Sequence, residues 1–534
     1  MTRKSIALIL ILIAAVAVAA VLPGCGWFGA KKDAKYLRYA VAAEPETLDP
    51  RKSTSIPAGI VAAQLFEGLT SLDAASSPVP AAAERWEISS DGLVYTFHLR
   101  KGAKWSNGEP LTAADFEFAW KSALSPEFAS SYAYQLFYLK NGRAYNEKKA
   151  AAETVGVRAK GDGILEVTLE RPTPFFLSLA AFRTYYPVNR KAAANDRWAA
   201  DAKTFVGNGP FRLTNWVHDN KMELVRNEHY WDAGKVRMAK VDIVLIDSAA
   251  TRLVMFENKQ LDMADNPPIS EIPRLQKEGR LKIFPFLGVS YFPFNVKKAP
   301  FDDARVRKAF TLALDRRSLV DQVARGGQTP ALAFVPPGVV DTAGNDFRAK
   351  GGSYFADNDA AAAKKLLAEA GYPEGKGLPP VTLLYNTGES NKIIAEAVQE
   401  MWKRALGVTV QLSNQELKVF YDNLDKHNFQ LAIDSWIGDY VDPTTFLELF
   451  ETANGNNSPG YSNPVYDSRL AAARPSADAA ERAASLHAAE KIIMDEAVVC
   501  PLFFSTNPVM IRPSVKDHVR TSIGIVYLKQ AYLE

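Results

Sequence analysis

The chain reads as an α/β protein built from two or three domains. Two patterns predict this: alternating strands fill the first half, and the second half runs β-α-β-α-β. Length adds a third argument, since 534 residues, 47% hydrophobic and 23% charged, exceed what one core holds.

The strand signals come first in the chain. "LRYAVAAEP" alternates apolar and polar residues and breaks at Glu44-Pro45. "LVYTFHLR" alternates cleanly and leads into a turn at Asn107-Gly108. Thr112 and Asp115 form a capping-box pattern before "AADFEFAWKSAL", whose Phe116, Ala119 and Trp120 share one helical face. "ILEVTLERPTPFF" is a strand stopped by Pro172 and Pro174, and "MELVRN" and "VDIVLID" are further strands.

In the second half "DDARVRKAFTLALDRRSLVDQV" predicts one amphipathic helix with Val306, Ala309, Phe310, Ala313 and Leu314 on its stripe. "NDAAAAKKLLAEAG" predicts a helix capped by Asn358 or Asp359 and stopped at Gly371. Then strand "VTLLYNT", helix 390–407, strand "VTVQLSN", helix "LKVFYDNLDK" and strand "FQLAIDSW" imply a parallel sheet with right-handed crossovers. Trp436 ends the last strand, 437–442 is the loop after it, and Pro443-Thr444 starts a helix. Ligands of open α/β sheets bind outside such strand ends.

The loop "SWIGDYVDPTTF" carries Trp436, Asp439, Tyr440 and Asp442. Its residues alone leave three readings open: a glycosidase carboxylate pair, a cation socket between aromatics, or solvated loop acids. Asp442 before Pro443 fits a helix cap. The six His residues show no zinc spacing, and no nucleophile elbow, Cys–His pairing, phosphate loop or dinucleotide fingerprint occurs. No cofactor is expected. A formal charge of +3 with no basic block argues against nucleic acid.

At the N-terminus, basic "MTRKS", apolar "IALILILIAAVAVAAVL" and "LPGC" predict a secretory leader (1–24) ending before Cys25. The pattern resembles a bacterial lipoprotein signal, with Cys25 as the lipidated residue. The competing reading is a permanent membrane anchor; both place the body outside the cytoplasm. Residues 25–35 read as a lipidated, flexible tether, and Cys500 in "EAVVCPLFF" as a buried thiol.

"AEPETLDPRKSTS", "LFEGLTSLD", "GLVYTFHLRKGAKWSNGEPLTAADFEFAWKSAL", "GNGPFRLTNW", "FDDARVRKAFTLALDR", "AKKLLAEAGYP" and "WIGDYVDPTTFL", in this order, resemble the family 5 extracellular solute-binding proteins of peptide and nickel ABC transporters. Within them, the oligopeptide-binding branch is the best match. The resemblance implies a two-lobed periplasmic-binding-protein fold (class II, type 2) that closes around a hinge. It implies a discontinuous domain (36–66, 193–290, 507–534), an inserted domain (67–192) and a second lobe (291–506). It also implies a monomer, not an enzyme, that captures oligopeptides and delivers them to permease subunits.

The resemblance further implies that Asp439 pairs with the peptide's α-ammonium, flanked by Trp436 and Tyr440. Tyr132 lines the ligand; a core aromatic is the competing reading. Ile56 and Ile437 offer backbone groups, and Tyr291 is a further candidate. Where the branch often carries Arg and Trp, this chain has Leu417, Leu424 and Ile433; Thr54 replaces an acid, and Arg325 is left to receive a ligand carboxylate. A less polar pocket and hydrophobic ligand side chains are therefore expected. A different solute on the same fold (a nickel chelate, an oligosaccharide or a murein peptide) stays open.

Overall fold

The computed structural model describes residues 36–340, 344–452, 454–474 and 478–534. Cys25, the leader and the tether lie outside the described residues.

Two lobes with separate cores are joined by two long antiparallel strands, Leu281–Pro293 and Val499–Ile511. The ladder between them shifts register between Pro285 and Val289, the kind of irregularity that bends and twists a strand pair. On one side of the shift, Val509–Ile511 pair with strand Met263–Asp265 of the first lobe. On the other, Gly288–Tyr291 pair with strand Asp434–Ile437 of the second lobe.

In the first lobe the sheet continues through Tyr36–Val41, Lys240–Leu245, Lys221–Arg226 and Phe211–Val217. Both faces of Tyr36–Val41 are covered. Leu37, Tyr39 and Val41 enter one cluster, while Ala40 enters another with Leu253 and Phe256. A separate antiparallel sheet of Ala83–Ile88, Val94–Leu99, Ile164–Thr168 and Val157–Ala159 packs against helix Ala113–Leu124. That helix has the expected capping box, and Phe116, Ala119 and Trp120 are fully buried.

In the second lobe Gln411–Gln415, Thr382–Asn386 and Leu431–Ala432 form the expected parallel sheet. Helices Glu389–Leu406 and Leu417–Asp425 lie between its strands in sequence. Gly407, at φ 73°, stops the first of these helices.

Three expectations need correction. "FQLAIDSW" is two strands: the chain leaves the parallel sheet after Ala432, and Asp434–Ile437 becomes an antiparallel edge strand of the large mixed sheet. An alternating run does not reveal where one partner strand hands over to another; buried Ile433 marks the switch. The ligand loop therefore follows an antiparallel edge strand. Second, "VTVQLSN" contributes its strand only from Gln411.

Third, the single helix expected over 302–323 is broken into Ala304–Leu312, Arg316–Ser318 and a π-helical turn, Leu319–Ala324. The stripe is nonetheless buried as expected. Asp315 caps the second piece through the Ser318 N–H (2.9 Å). Fully buried Arg316 draws the chain inward by donating to the Pro501 carbonyl (2.7 Å) and Asp357 (3.1 Å). Asp359, not Asn358, caps helix Ala360–Glu369. Cys500 is a buried free thiol, and burial raises its pKa.

Candidate functional site

The loop after strand Asp434–Ile437 separates its two acids. Asp442 turns into the next helix. Its Oδ1 accepts from the Thr444 N–H (3.0 Å), the Thr444 hydroxyl (2.7 Å) and the buried Arg482 guanidinium (2.8 Å). With that carboxylate committed, Asp439 and Asp442 do not form an acid/base pair. Among the described residues no His, Cys, Asp or Glu cluster would hold a metal ion.

Asp439 faces the first lobe. Its backbone N–H donates to the Thr445 hydroxyl (3.1 Å), and its carboxylate accepts from the Tyr134 hydroxyl (3.3 Å). Burial pushes its pKa up to about 6, opposed by the charge of Arg183. No cation lies within 4.0 Å of it among the described residues. Beside it Gln135 is buried, and its side-chain amide, like the Tyr134 hydroxyl, opposes the upward shift of Asp439.

Tyr132 packs at 5.5 Å from Tyr134 and at 5.7 Å from Phe182, with Arg183 5.1 Å over its ring. It is half-buried, and its hydroxyl is held neutral first by burial and then by the charge of Asp439. Arg183 in turn donates to the Ser53 carbonyl (3.0 Å) and the Thr54 carbonyl. Here the first lobe supplies an acid that a position-by-position reading missed. Glu46 accepts from the Thr54 N–H, the Thr54 hydroxyl (3.1 Å), the Ser55 N–H (2.9 Å) and the Ser55 hydroxyl. Thr54 lacks a carboxylate of its own, yet one is bound to it. Ile56, 50% exposed, opens helix Ile56–Leu65, which Ser55 caps.

Tyr440 is 1% exposed and bridges the lobes. Its ring stacks on Phe175 of the first lobe (4.0 Å, 4°), and its hydroxyl meets Glu448 (2.8 Å) and the Tyr138 hydroxyl (3.1 Å).

An open cleft of about 370 Å³ lies at the junction of the lobes, lined by Asn266, Ser290, Gln328, Asn391, Ser435 and Thr506, among others. Ser435 also lines a second-lobe pocket with Tyr291, Tyr421, Leu424, Asp434 and Trp436. Tyr291 donates to Asp434 (3.3 Å). Leu424 lines this pocket, whereas Leu417 is half exposed on its helix and Ile433 is buried in the second-lobe core. Arg325 is exposed at φ 51° and donates to the Gln322 carbonyl (2.8 Å). Ile437 pairs with Gly288 in the edge ladder.

The expectation of a less polar pocket misses Asp434. Burial pushes its pKa up to about 6, and only the Ser435 N–H and the Tyr291 hydroxyl oppose that. The signal was present in the strand period: Asp434 and Trp436, two apart, point to one face. Tyr134 and Arg183 had no comparable signal, because their effect on Asp439 depends on which lobe surfaces meet; Glu46 acts within the first lobe, on Thr54 and Ser55.

Two cores joined by two strands, with an open cleft at their junction, define a two-lobed solute-binding protein. The model for bacterial extracellular solute-binding proteins, family 5 Middle, matches residues 77–458, and the chain belongs to that family. The oligopeptide-binding protein OppA of Bacillus subtilis is 41% identical over 96% of this chain and 97% of its own length. The periplasmic oligopeptide-binding protein OppA of Salmonella typhimurium is 36% identical over 92% of this chain and 91% of its own. Among solved structures, the Escherichia coli murein tripeptide binding protein MppA superposes with a TM-score of 0.81 at 34% identity, covering 93% of this chain and 98% of its own.

Proposed function

We propose that the protein is an extracytoplasmic receptor that captures oligopeptides between its lobes and hands them to an ABC permease. One observation carries the reading. Asp439 is a half-buried carboxylate with no cation within 4.0 Å among the described residues, set against Tyr134 of the opposite lobe. A partly desolvated charge of that kind favours a charged, hydrogen-bonding partner, and a peptide α-ammonium is one. The peptide main chain would lie along the cleft as an added strand, giving affinity independent of sequence.

The reading includes a lipid on Cys25 holding a monomer on the outer side of a bacterial membrane, on the periplasmic side if there are two membranes. It also takes the domain limits as 36–66 with 193–290 and 507–534, 67–192, and 291–506. Catalysis has no part in it. Isothermal calorimetry with a mixed tripeptide pool tests the function: saturable 1:1 binding is expected, and no heat from any free-amine peptide would sink it. Mass spectrometry of the co-purified ligand separates an oligopeptide from a murein peptide, a nickel chelate or an oligosaccharide.

A further inference from the structure

Strand Asp434–Ile437 turns Asp434 and Trp436 to the same face, toward helix Leu417–Asp425. There they line the pocket that shares Ser435 with the inter-lobe cleft. Its chemistry is lopsided. Among the described residues the Asp434 carboxylate accepts only from the adjacent Ser435 N–H (2.8 Å) and the Tyr291 hydroxyl (3.3 Å). No Lys, Arg or His nitrogen lies within 4.0 Å of it among the described residues. The Trp436 indole N–H is buried and has no acceptor.

The other groups at the rim do not correct the balance. Asp425 adds a second acid. His427 uses its Nδ1 on the Ser458 carbonyl (2.9 Å). Tyr291 and Tyr421 present aromatic rings, which favour a cation and disfavour an anion.

We infer that this pocket takes a cationic side chain of the bound peptide, with Asp434 as the specificity-determining residue and the Trp436 N–H donating to a carbonyl of the same ligand. An ammonium on a four-carbon stem fits both halves of the lining, its methylenes along Leu424 and Trp436 and its charge on Asp434. The inference rests on the peptide reading and deepens it. It reverses the hydrophobic side-chain preference expected from Leu417, Leu424 and Ile433.

The test is a tripeptide scan by calorimetry on the full chain. Lysine and norleucine, which has the same chain without the ammonium, are placed in turn at each position. At one position lysine should bind about tenfold tighter or more. Asp434→Asn should erase that gap while leaving the norleucine peptide's affinity within about twofold, which also shows that the variant folds. No lysine preference at any position would overturn the inference, as would equal losses for both peptides in the variant. If no free-amine peptide binds at all, the peptide reading itself has failed and takes the inference with it; if peptides bind without regard to lysine, only the inference falls.

Discussion

Asp442 is 3% exposed, and Arg482 meets its charge at 2.8 Å, with two further bonds from Thr444. Asp439, in the same loop, and Asp434, in the strand before it, have no cation within 4.0 Å among the described residues, and burial pushes both up to about 6. The difference separates two uses of a carboxylate. Asp442 is neutralised within the fold and sets the start of a helix. The other two are held partly desolvated and uncompensated, an arrangement costly to the empty protein and useful to one that binds cations.

The comparison can be broken from the Asp442 side first. Arg482→Met should strand a buried charge and cost about 3–5 kcal/mol of stability, read by urea denaturation. The other two acids have no ion-pair partner to remove: no cation lies within 4.0 Å of either among the described residues, and Arg183 acts on Asp439 only through its charge at longer range. Next, Asp439→Asn should weaken free-amine peptides by about 2–5 kcal/mol with little change in stability. N-acetylated peptides should be weak against the native protein and lose little more in the variant; if they bind the native protein as well as free ones, Asp439 does not hold the ammonium.

pH sharpens the same contrast. Asp434 and Asp439 titrate near 6 in the fold against an ordinary 3.8. A raised carboxyl pKa favours the protonated folded form. Its contribution to stability is therefore fully present below the ordinary value and lost as pH rises through 6. Binding runs the other way. A cation needs the ionised acid, so affinity for a free-amine peptide should hold above about pH 6 and fall below it, by up to about tenfold per pH unit for each acid engaged. Calorimetry from pH 8 to pH 5 measures this, and Asp439→Asn should remove its share of the slope.

The smallest effect concerns lobe contact. Phe175→Ala removes the ring stacked on Tyr440 and should weaken binding by about 0.5–1.5 kcal/mol without altering which peptides are preferred. Small-angle scattering should show a more open apo protein. An unchanged affinity and shape would mean that the stack does not contribute to closure.

Much of the fold was legible along the chain. The order of strands and helices in the second lobe, the capping box at Thr112 and Asp115 and the burial of the stripe from Val306 to Leu314 are local patterns of period and capping, and these formed as read even where element bounds moved. The misreadings share one cause. Where "FQLAIDSW" changes sheets, and where Arg316 draws the helix inward, the deciding partner lies far away in sequence: strand Leu281–Pro293 in the first case, and Pro501 with Asp357 in the second. The site divided the same way. The loop holding Asp439 was visible as a motif, whereas Asp434 was overlooked within a strand, and Glu46 and Arg183 became meaningful only beside Thr54 and Tyr132.

By itself, then, the sequence determined the class of fold, the family and the loop that carries the charge, because spacing and side-chain period are properties of the chain. Only the tertiary structure decided which acids stay unpaired. Whether a carboxylate has a cation is settled by what packs against it, and Arg482 reaches Asp442 from 40 residues away while, among the described residues, no cation comes within 4.0 Å of Asp434 or Asp439.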